Sequence, residues 1–175
     1  HIYRTASSID CNRQYIEQNG AKGRLFEYGL TKATQVLTQN KSGKHDLKFH
    51  HGIEAQILRN PIKILDKKSS KNIILWVGRC EPLKQPEVFI ELAKRVDGKF
   101  VMVCSKVIGH EEYFEKTRET AKKYGVNFFN FVPYSKISKL FDKAKVFVNT
   151  STYEGFPNTF LQAGASKCPI ISLNV

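Results

Sequence analysis

The sequence predicts an α/β protein built around a doubly wound parallel sheet. From residue 71 onward, short apolar runs alternate with amphipathic helical segments. The first run, Ile73 to Val77, is apolar throughout, as is typical of strands that are buried on both faces. The segment from Pro86 to Val96 follows with apolar residues at helical spacing. Because strands joined by helices form right-handed parallel crossovers, this alternation predicts an open sheet with helices on both faces.

The later elements continue the alternation to the end of the chain. Strands are predicted at residues 100–104, 128–132, 145–148 and 170–173, and helices at 111–124, from Pro133 onward and within 151–169. The helix at 111–124 is acidic at its start and basic at its end, which suits the helix dipole. We expect the five strands to lie in the order 3-2-1-4-5, in which the winding reverses between strands 1 and 4.

Residues 1–60 carry weaker signals. A mixture of helix and loop is predicted for residues 1–30, then a short strand at 33–38 and a short helix at 41–50 that Gly52 ends. Asn60-Pro61 marks a turn or linker, so we place a boundary near residue 60. We assign residues 1–56 to the end of a preceding domain and its linker, and residues 57–175 to the doubly wound domain. Since the chain starts at His1 and stops directly after a strand-like run, we expect it to be a fragment.

Length and composition predict a globular protein with anionic partners. The chain has 175 residues, of which 41% are hydrophobic and 25% charged. No apolar run approaches the roughly 18 residues that a membrane span needs. The net charge of +12 favours nucleotides, nucleic acid or an acidic membrane surface as partners. The basic residues are spread along the chain, and a solvated turn would also explain their densest cluster, which is Lys63, Lys67, Lys68 and Lys71.

The cysteines and histidines do not predict a metal site. The sequence has no C-x-x-C pair and no H-E-x-x-H pattern, so we expect no zinc. The four cysteines are widely spaced and lie mostly in or beside apolar runs: Cys11, Cys80, Cys104 and Cys168. We therefore expect buried, reduced thiols, as in a cytoplasmic protein.

The loop after the first strand of the doubly wound domain offers two cations. Ligands of such sheets bind at the carboxyl ends of strands 1 and 4. The first of these loops reads Gly78-Arg79-Cys80-Glu81-Pro82-Leu83-Lys84. The Arg79 guanidinium suits phosphate oxygens and Lys84 adds a movable point charge, which indicates a diphosphate site, although two solvated surface cations would give the same pattern. The absence of G-x-G-x-x-G and of a P-loop disfavours a dinucleotide oxidoreductase and a P-loop ATPase.

The loop after strand 4 leads into a helix N-terminus, where backbone N–H groups can meet an anion. Gly155 allows the backbone to approach a ligand closely, and Pro157 fits the first helical position. The N–H groups of Phe156, Asn158 and Thr159 are then predicted to face the anion.

Two polar residues of this stretch have two interpretations each. Glu154 is either an acid that favours the helix dipole or a carboxylate that faces a hydroxyl-rich part of the ligand, such as a sugar. Gln162 is either a hydrogen-bonding partner for hydroxyls or an ordinary polar residue on an exposed helix face.

Three segments together resemble the donor-binding half of family-four glycosyltransferases, which are retaining nucleotide-sugar enzymes of the GT-B architecture with two Rossmann-like domains. The segments are I-I-L-W-V-G-R-C-E-P-L-K-Q-P at 73–86, F-V-P-Y-S-K-I-S-K-L-F-D-K-A-K-V-F-V at 131–148 and S-T-Y-E-G-F-P-N-T-F-L-Q-A-G-A-S-K-C-P-I-I at 151–171. Residues 1–52 resemble the end of the preceding acceptor-side domain.

The resemblance implies a role for each residue of the two loops. Arg79 and Lys84, with Gly78 beside them, would hold the donor diphosphate and stabilise charge on the departing nucleotide. Glu154 would be the first acid of the family's E-x7-E motif, near the donor sugar. The backbone from Gly155 to Thr159 would contact sugar and phosphate, and Val132 and Pro133 would line the base pocket.

The resemblance also exposes a departure. The second acid of the motif, which binds ribose hydroxyls in the family, is Gln162 here. An amide can still hydrogen-bond a hydroxyl, but it lacks the stronger charged bond. This substitution leaves open an inactive relative that binds a nucleotide sugar without transferring it.

The activity implied is sugar transfer, with retention, from a UDP-sugar or GDP-sugar to an acceptor hydroxyl in polysaccharide, lipopolysaccharide or glycolipid synthesis. No metal or other cofactor is required if Arg79 and Lys84 supply the positive charge. The acceptor would be a carbohydrate or a lipid-linked sugar, and the basic surface permits a cytoplasmic protein to associate with the inner face of an acidic membrane. The net charge alone also permits a nucleic-acid-binding α/β domain, although the basic–aromatic interleaving that single strands favour is missing.

Overall fold

The computed structural model describes residues 1–62, 64, 70–154 and 157–174. The chain divides into two compact units, His1–Pro61 and Ile62–Val175. The division falls beside the turn expected at Asn60-Pro61, whereas the assignment of residues 1–56 to an acceptor-side domain stays a prediction. Four residues named above, Lys63, Lys67, Lys68 and Val175, lie outside the described part together with Gly155 and Phe156.

The first unit is a small α/β arrangement with a parallel sheet in the order β1-β2-β3. Its strands are β1 (Ile2–Arg4), β2 (Gln35–Thr38) and β3 (Gln56–Ile57), and its helices are α1 (Gln14–Gln18), α2 (Gly20–Thr31) and α3 (Lys41–His51). Helix α3 ends at Gly52, whose φ of 67° is a left-handed conformation that glycine adopts without strain. The expectation of only helix and loop over residues 1–30 is wrong, because β1 pairs in parallel with β2.

The second unit contains five parallel strands in the order β6-β5-β4-β7-β8. These are β4 (Ile73–Arg79), β5 (Lys99–Ser105), β6 (Asn127–Phe129), β7 (Ala144–Asn149) and β8 (Ile170–Ser172). The predicted doubly wound parallel sheet is confirmed, and so is the predicted strand order.

Helices cover both faces of this sheet. They are α4 (Pro86–Ala93), α5 (Glu111–Lys123), α6 (Tyr134–Lys143) and α7 (Asn158–Ala165), and a 3₁₀ turn at Pro82–Lys84 precedes α4. One core cluster packs α4 and α5 against the sheet through Phe89, Phe100 and Phe114. The other packs α6 and α7 through Phe141, Phe147 and Ala163. Because each cluster lies on its own side of the strands, the winding reverses between β4 and β7, as the sequence predicted.

Several element boundaries differ from the predictions, and three of them concern residues named above. Strand β6 ends at Phe129, not at Val132, because it is an edge strand that pairs only with Val101–Val103 of β5 in the described residues. Helix α4 ends at Ala93, and Val96 beyond it is 45% exposed. Pro157 is not the first helical residue; its ψ of 127° is extended, so it precedes the helix and Asn158 begins it.

Candidate active site

The carboxyl ends of β4 and β7 lie side by side in the sheet. Leu75 of β4 aligns with Phe147 of β7, and both strands lead into loops at the same end of the sheet. The Thr152 N–H donates to the Leu83 carbonyl at 3.0 Å, which ties the two loops together. The structure therefore brings together the two segments in which the sequence placed the diphosphate-sugar site.

Lys84 and Glu154 contact each other directly at this edge. Lys84 Nζ lies 2.7 Å from Glu154 Oε1, and the two side chains are 17% and 12% exposed. Lys84 is therefore not the solvated surface cation that the sequence left open. The carboxylate also accepts a hydrogen bond from Ser151 Oγ at 2.6 Å. An ammonium and a hydroxyl together fix one oxygen of Glu154.

A series of polar contacts continues from Ser151 across the end of the sheet. Ser151 Oγ lies 2.9 Å from Asn149 Oδ1, and Asn149 Nδ2 donates to Ser172 Oγ at 3.1 Å. Since a hydroxyl carries one proton, Ser151 donates to Asn149 or to Glu154 at any moment. Sequence reasoning missed these residues, although the polar run Asn149 to Thr152 directly after a buried strand was a signal for them.

A second series of buried hydrogen bonds holds the backbone at Lys84. Trp76 Nε1 donates to Thr150 Oγ1 at 2.9 Å, and this hydroxyl lies 2.6 Å from the Lys84 carbonyl and 2.9 Å from the Gln85 carbonyl. Gln85 has a φ of 45° and a ψ of 55°, which is the left-handed region that side chains other than glycine rarely adopt. Sequence reasoning missed this support.

Arg79 lies at the end of β4 with its side chain 65% exposed. Its Nη2 is 2.9 Å from Glu81 Oε1, and the Glu81 side chain is 15% exposed. Within the described residues, that oxygen has no hydrogen bond of suitable geometry, so the contact is an ion pair only. The guanidinium thus lies at the predicted edge, and its contact with a phosphate stays a prediction.

Gly78 has a packing role in the structure. A Cβ atom at this position would lie 2.8 Å from Cη2 of the buried Trp76 indole. A close approach of the backbone to a ligand, which the sequence analysis expected here, stays a prediction.

Gln162 is buried, with 8% of its surface exposed. The interpretation of an exposed helix face is therefore wrong. It lines a cavity of about 180 Å³ between α6 and α7. The other lining residues include Tyr134, Ser135, Ser138, Asp142 and Ser166, and Ser166 Oγ donates to Asp142 Oδ1 at 2.8 Å. Ile62, Ile137 and Ala165 make much of the lining apolar, and the hydroxyl, amide and carboxylate groups among them can hydrogen-bond a polyhydroxylated ligand.

The remaining predicted contact residues lie just before α6 and at the start of α7. Val132 is partly buried against the core cluster under α6 and α7, and Pro133 immediately precedes α6. Asn158 and Thr159 are the first two residues of α7, where the backbone N–H groups of a helix point outward. Gly155 and Phe156 lie outside the described residues.

All four cysteines are buried with free thiols, which confirms their predicted burial. Burial and the neighbouring Cys80 raise the pKa of the Cys104 thiol far above its usual range, so this thiol stays protonated. Among residues 1–62, 64, 70–154 and 157–174, no three His, Cys, Asp or Glu side chains cluster as metal ligands. No helix in the same ranges is both long and apolar enough to span a bilayer.

The model of the family described as "Glycosyl transferases group 1" matches residues 59–175. The chain belongs to this family. Among curated proteins, it is 24% identical over 166 residues to the uncharacterized glycosyltransferase MJ1178 of Methanocaldococcus jannaschii, covering 91% of this chain and 46% of the relative. It is 23% identical over 155 residues to the O-antigen chain mannosyltransferase RfbU of Salmonella typhimurium, covering 84% and 44%. The chain therefore spans less than half the length of these two relatives.

Solved structures share the fold of this glycosyltransferase chain. Anabaena Alr3699/HepE in complex with UDP and glucose matches with a TM-score of 0.74 at 15% identity, over 98% of this chain and 52% of that chain. A mutant of S. aureus TarM, in complex with Fondaparinux, alpha-GlcNAc-glycerol and UDP, matches with a TM-score of 0.72 at 18% identity, over 99% and 36%. The TM-scores establish the Rossmann-like GT-B fold, and at identities this low the likeness shows the fold alone.

Proposed function

We propose that this chain is the donor-binding part of a retaining glycosyltransferase. It binds a UDP-sugar or GDP-sugar and transfers the sugar to a hydroxyl of a carbohydrate or lipid-linked acceptor. The observation that carries the proposal is the meeting of Lys84 with Glu154 at the switch point of the sheet, 2.7 Å apart. A cation for a diphosphate and a carboxylate for sugar hydroxyls lie together where doubly wound sheets bind ligands.

Lys84 and Arg79 provide the charge that a departing nucleoside diphosphate requires. Lys84 is held on the protein side of the site, whereas Arg79 is exposed and can leave Glu81 to meet the ligand. Positive groups that are already in place stabilise the charge that develops on the leaving oxygen, without reorganisation during the reaction. These two cations make a metal ion unnecessary in the proposed mechanism.

Glu154 provides the acceptor for hydroxyls of the donor sugar. Its Oε1 is occupied by Lys84 and Ser151 in the structure. When the ammonium turns toward a diphosphate, that oxygen is left with one donor and accepts a second from a sugar hydroxyl. Charge-assisted hydrogen bonds of this kind contribute about 1.5–3 kcal/mol when partly desolvated.

Gln162 and the cavity between α6 and α7 form the proposed binding site for the nucleoside. The buried amide can donate to or accept from ribose hydroxyls, and Tyr134 at the start of α6 lies on the same cavity wall. The position of Gln162 on the wall of a cavity supports a ligand-binding role in spite of the missing second acid.

The comparisons support a sugar-nucleotide donor and a polysaccharide-related acceptor. The HepE structure holds UDP and glucose, and the relative RfbU is named an O-antigen chain mannosyltransferase. Retention of configuration follows from the resemblance to family-four enzymes. The proposed site of action is the cytoplasmic face of a membrane, to which the net charge of +12 favours association.

Calorimetric titration of UDP, GDP and a short oligonucleotide tests the proposal. We expect UDP or GDP to bind and the oligonucleotide not to compete. Oligonucleotide binding without nucleotide binding would overturn the proposal in favour of a nucleic-acid-binding domain. Gln162 also motivates a non-catalytic relative, and binding of a nucleotide sugar to the protein that contains this chain, without sugar transfer to any acceptor, would identify one.

A further inference from the structure

Thr150 joins three parts of the second unit through one buried hydroxyl. Thr150 directly follows β7. Both Thr150 and Trp76 of β4 are 2% exposed. Thr150 Oγ1 accepts the indole N–H of Trp76 at 2.9 Å and donates its single proton toward two carbonyl oxygens. These belong to Lys84 and Gln85, at 2.6 and 2.9 Å. The hydroxyl therefore links β4, β7 and the turn that carries Lys84.

The turn that Thr150 holds is unfavourable on its own. Gln85 ends the 3₁₀ turn Pro82–Lys84 in the left-handed conformation and precedes Pro86, the first residue of α4. A residue with a Cβ atom reaches this conformation at a steric cost, so the surrounding structure has to stabilise it. Two carbonyl oxygens of this turn lie within hydrogen-bond distance of one buried hydroxyl, which directs its single proton to one of them or shares it between them. The Thr152 N–H donates to the preceding carbonyl, that of Leu83, at 3.0 Å.

We propose that Thr150 is a positioning residue for the donor diphosphate: with Trp76, its hydroxyl holds the Lys84–Gln85 turn so that the Lys84 ammonium lies at the carboxyl end of the sheet, within reach of the diphosphate. This inference rests on the proposed function. Thr150 touches the backbone of Lys84 and not the Lys84 ammonium, so it acts through Lys84. Because contacts within the protein hold the turn, binding of a diphosphate does not have to order it.

Three variants distinguish a role of Thr150 in positioning Lys84 from a role in stabilising the fold. Thr150→Val keeps the branched shape and removes the hydroxyl, Thr150→Ser keeps the hydroxyl, and Lys84→Ala removes the cation. We expect Thr150→Val to weaken UDP and GDP binding about tenfold and to leave uridine and guanosine binding within twofold, since a nucleoside has no diphosphate. Thr150→Ser should restore diphosphate binding to within threefold of the unmodified chain.

A double-mutant cycle tests whether the effect passes through Lys84. In the Lys84→Ala background, Thr150→Val should cause no further loss of diphosphate affinity, because the group that it positions is gone. Equal losses for nucleoside and nucleoside diphosphate, or an undiminished loss in the Lys84→Ala background, would overturn the inference. Should Thr150→Val not fold, Trp76→Phe, which removes the indole N–H donor to Thr150, replaces it in the same comparison, with Thr150→Ser as the variant that keeps the hydroxyl.

Trp76 supplies a spectroscopic signal that a loss of stability alone would not change. It is the sole tryptophan of the chain, so its indole N–H gives a single proton resonance. We expect this resonance to shift when UDP or GDP is added, and to shift toward the position of an unbonded indole in Thr150→Val without ligand. If the unmodified chain binds neither UDP nor GDP, the proposed function fails and this inference with it. If it binds them and Thr150→Val binds them equally well, the inference alone fails.

Discussion

Lys84 Nζ lies 2.7 Å from Glu154 Oε1, and more than four fifths of each side chain is buried. Arg79 likewise lies beside a carboxylate, that of Glu81. Both cations that the sequence assigned to a diphosphate are thus neutralised by acids of the protein itself. A phosphate group that binds here has to compete with these carboxylates, and this competition determines what substitutions at the site should do.

Glu154→Gln should bind UDP and pyrophosphate more tightly than the unmodified chain. The amide no longer competes for the Lys84 ammonium, so we expect affinity to rise about five- to tenfold, or roughly 1–1.4 kcal/mol. Sugar transfer by the protein that contains this chain should fall, because the proposed sugar-side carboxylate is lost. Isothermal calorimetry measures the first effect and a donor-consumption assay the second.

Glu91→Gln is the matched control for this experiment. Glu91 of α4 pairs with Lys94 and Arg95, which follow the end of that helix, so the same change of charge occurs away from the site. Weaker binding of pyrophosphate by Glu154→Gln than by the control would contradict the competition.

Arg79→Ala should weaken binding of UDP while leaving binding of uridine within twofold. An exposed guanidinium that pairs with a phosphate contributes about 1 kcal/mol, and added salt should screen part of it. Thermal unfolding should be little changed, because the side chain is 65% exposed. Arg95→Ala is the control, since its side chain is 73% exposed and also pairs with a glutamate. An equal loss of affinity for UDP and for uridine would argue against a phosphate role for Arg79.

Gln162→Glu should change the affinity for UDP or GDP by about 1 kcal/mol, roughly fivefold, and leave pyrophosphate binding unchanged. A carboxylate at this buried position would accept charge-assisted hydrogen bonds from ribose hydroxyls, so we expect tighter binding above the pKa of that group. Asp142 lines the same cavity and would raise that pKa by repulsion, so the gain should diminish on acidification. Gln18→Glu, at an exposed position of α1, introduces the same charge elsewhere. Unchanged affinity for both nucleotides would place residue 162 away from the nucleoside.

His51 should make the protein less stable in mild acid. Burial, followed by the Arg13 guanidinium, lowers the pKa of His51, and both ring nitrogens lack hydrogen-bond partners in the described residues. A lowered folded-state pKa means that the stabilisation is present above the ordinary pKa of about 6.5 and is lost as the pH falls through the lower value. Urea unfolding followed by circular dichroism between pH 7.5 and 5 should show a smaller loss for His51→Gln. His45→Gln on the same helix, where the side chain is 78% exposed, should retain the full loss.

The strands that the sequence predicted well are those whose own residues form a recognisable pattern. Residues Ile73 to Val77 are apolar throughout, so burial on both faces followed directly from composition. Strand β1 was missed because it has only three residues, too few for a pattern, and its pairing with β2 defines it. Edge strand β6 was predicted too long because apolar residues beyond Phe129 do not reveal where pairing with β5 stops.

The site shows the same division between local and long-range information. Residue types and the switch point of the sheet predicted which loops meet, because both are properties of the sequence pattern. The pairing of Lys84 with Glu154, 70 residues apart, and the support of the Lys84 carbonyl by Thr150 depend on side-chain and backbone geometry in the folded loops. The burial of Gln162 depends on how α6 and α7 pack, which helical periodicity alone does not specify.

The contact between Gly78 and Trp76 has a consequence for how this chain can vary. Any side chain at position 78 would meet the buried indole, since a Cβ atom would lie 2.8 Å from Cη2. The indole in turn donates the hydrogen bond that reaches the Lys84 turn through Thr150. Position 78 therefore cannot gain a side chain while position 76 keeps its indole: a larger residue at 78 requires a smaller one at 76, and that exchange removes the indole N–H from the loop. A substitution two residues away from the indole thereby alters the turn that carries Lys84 at the proposed diphosphate site.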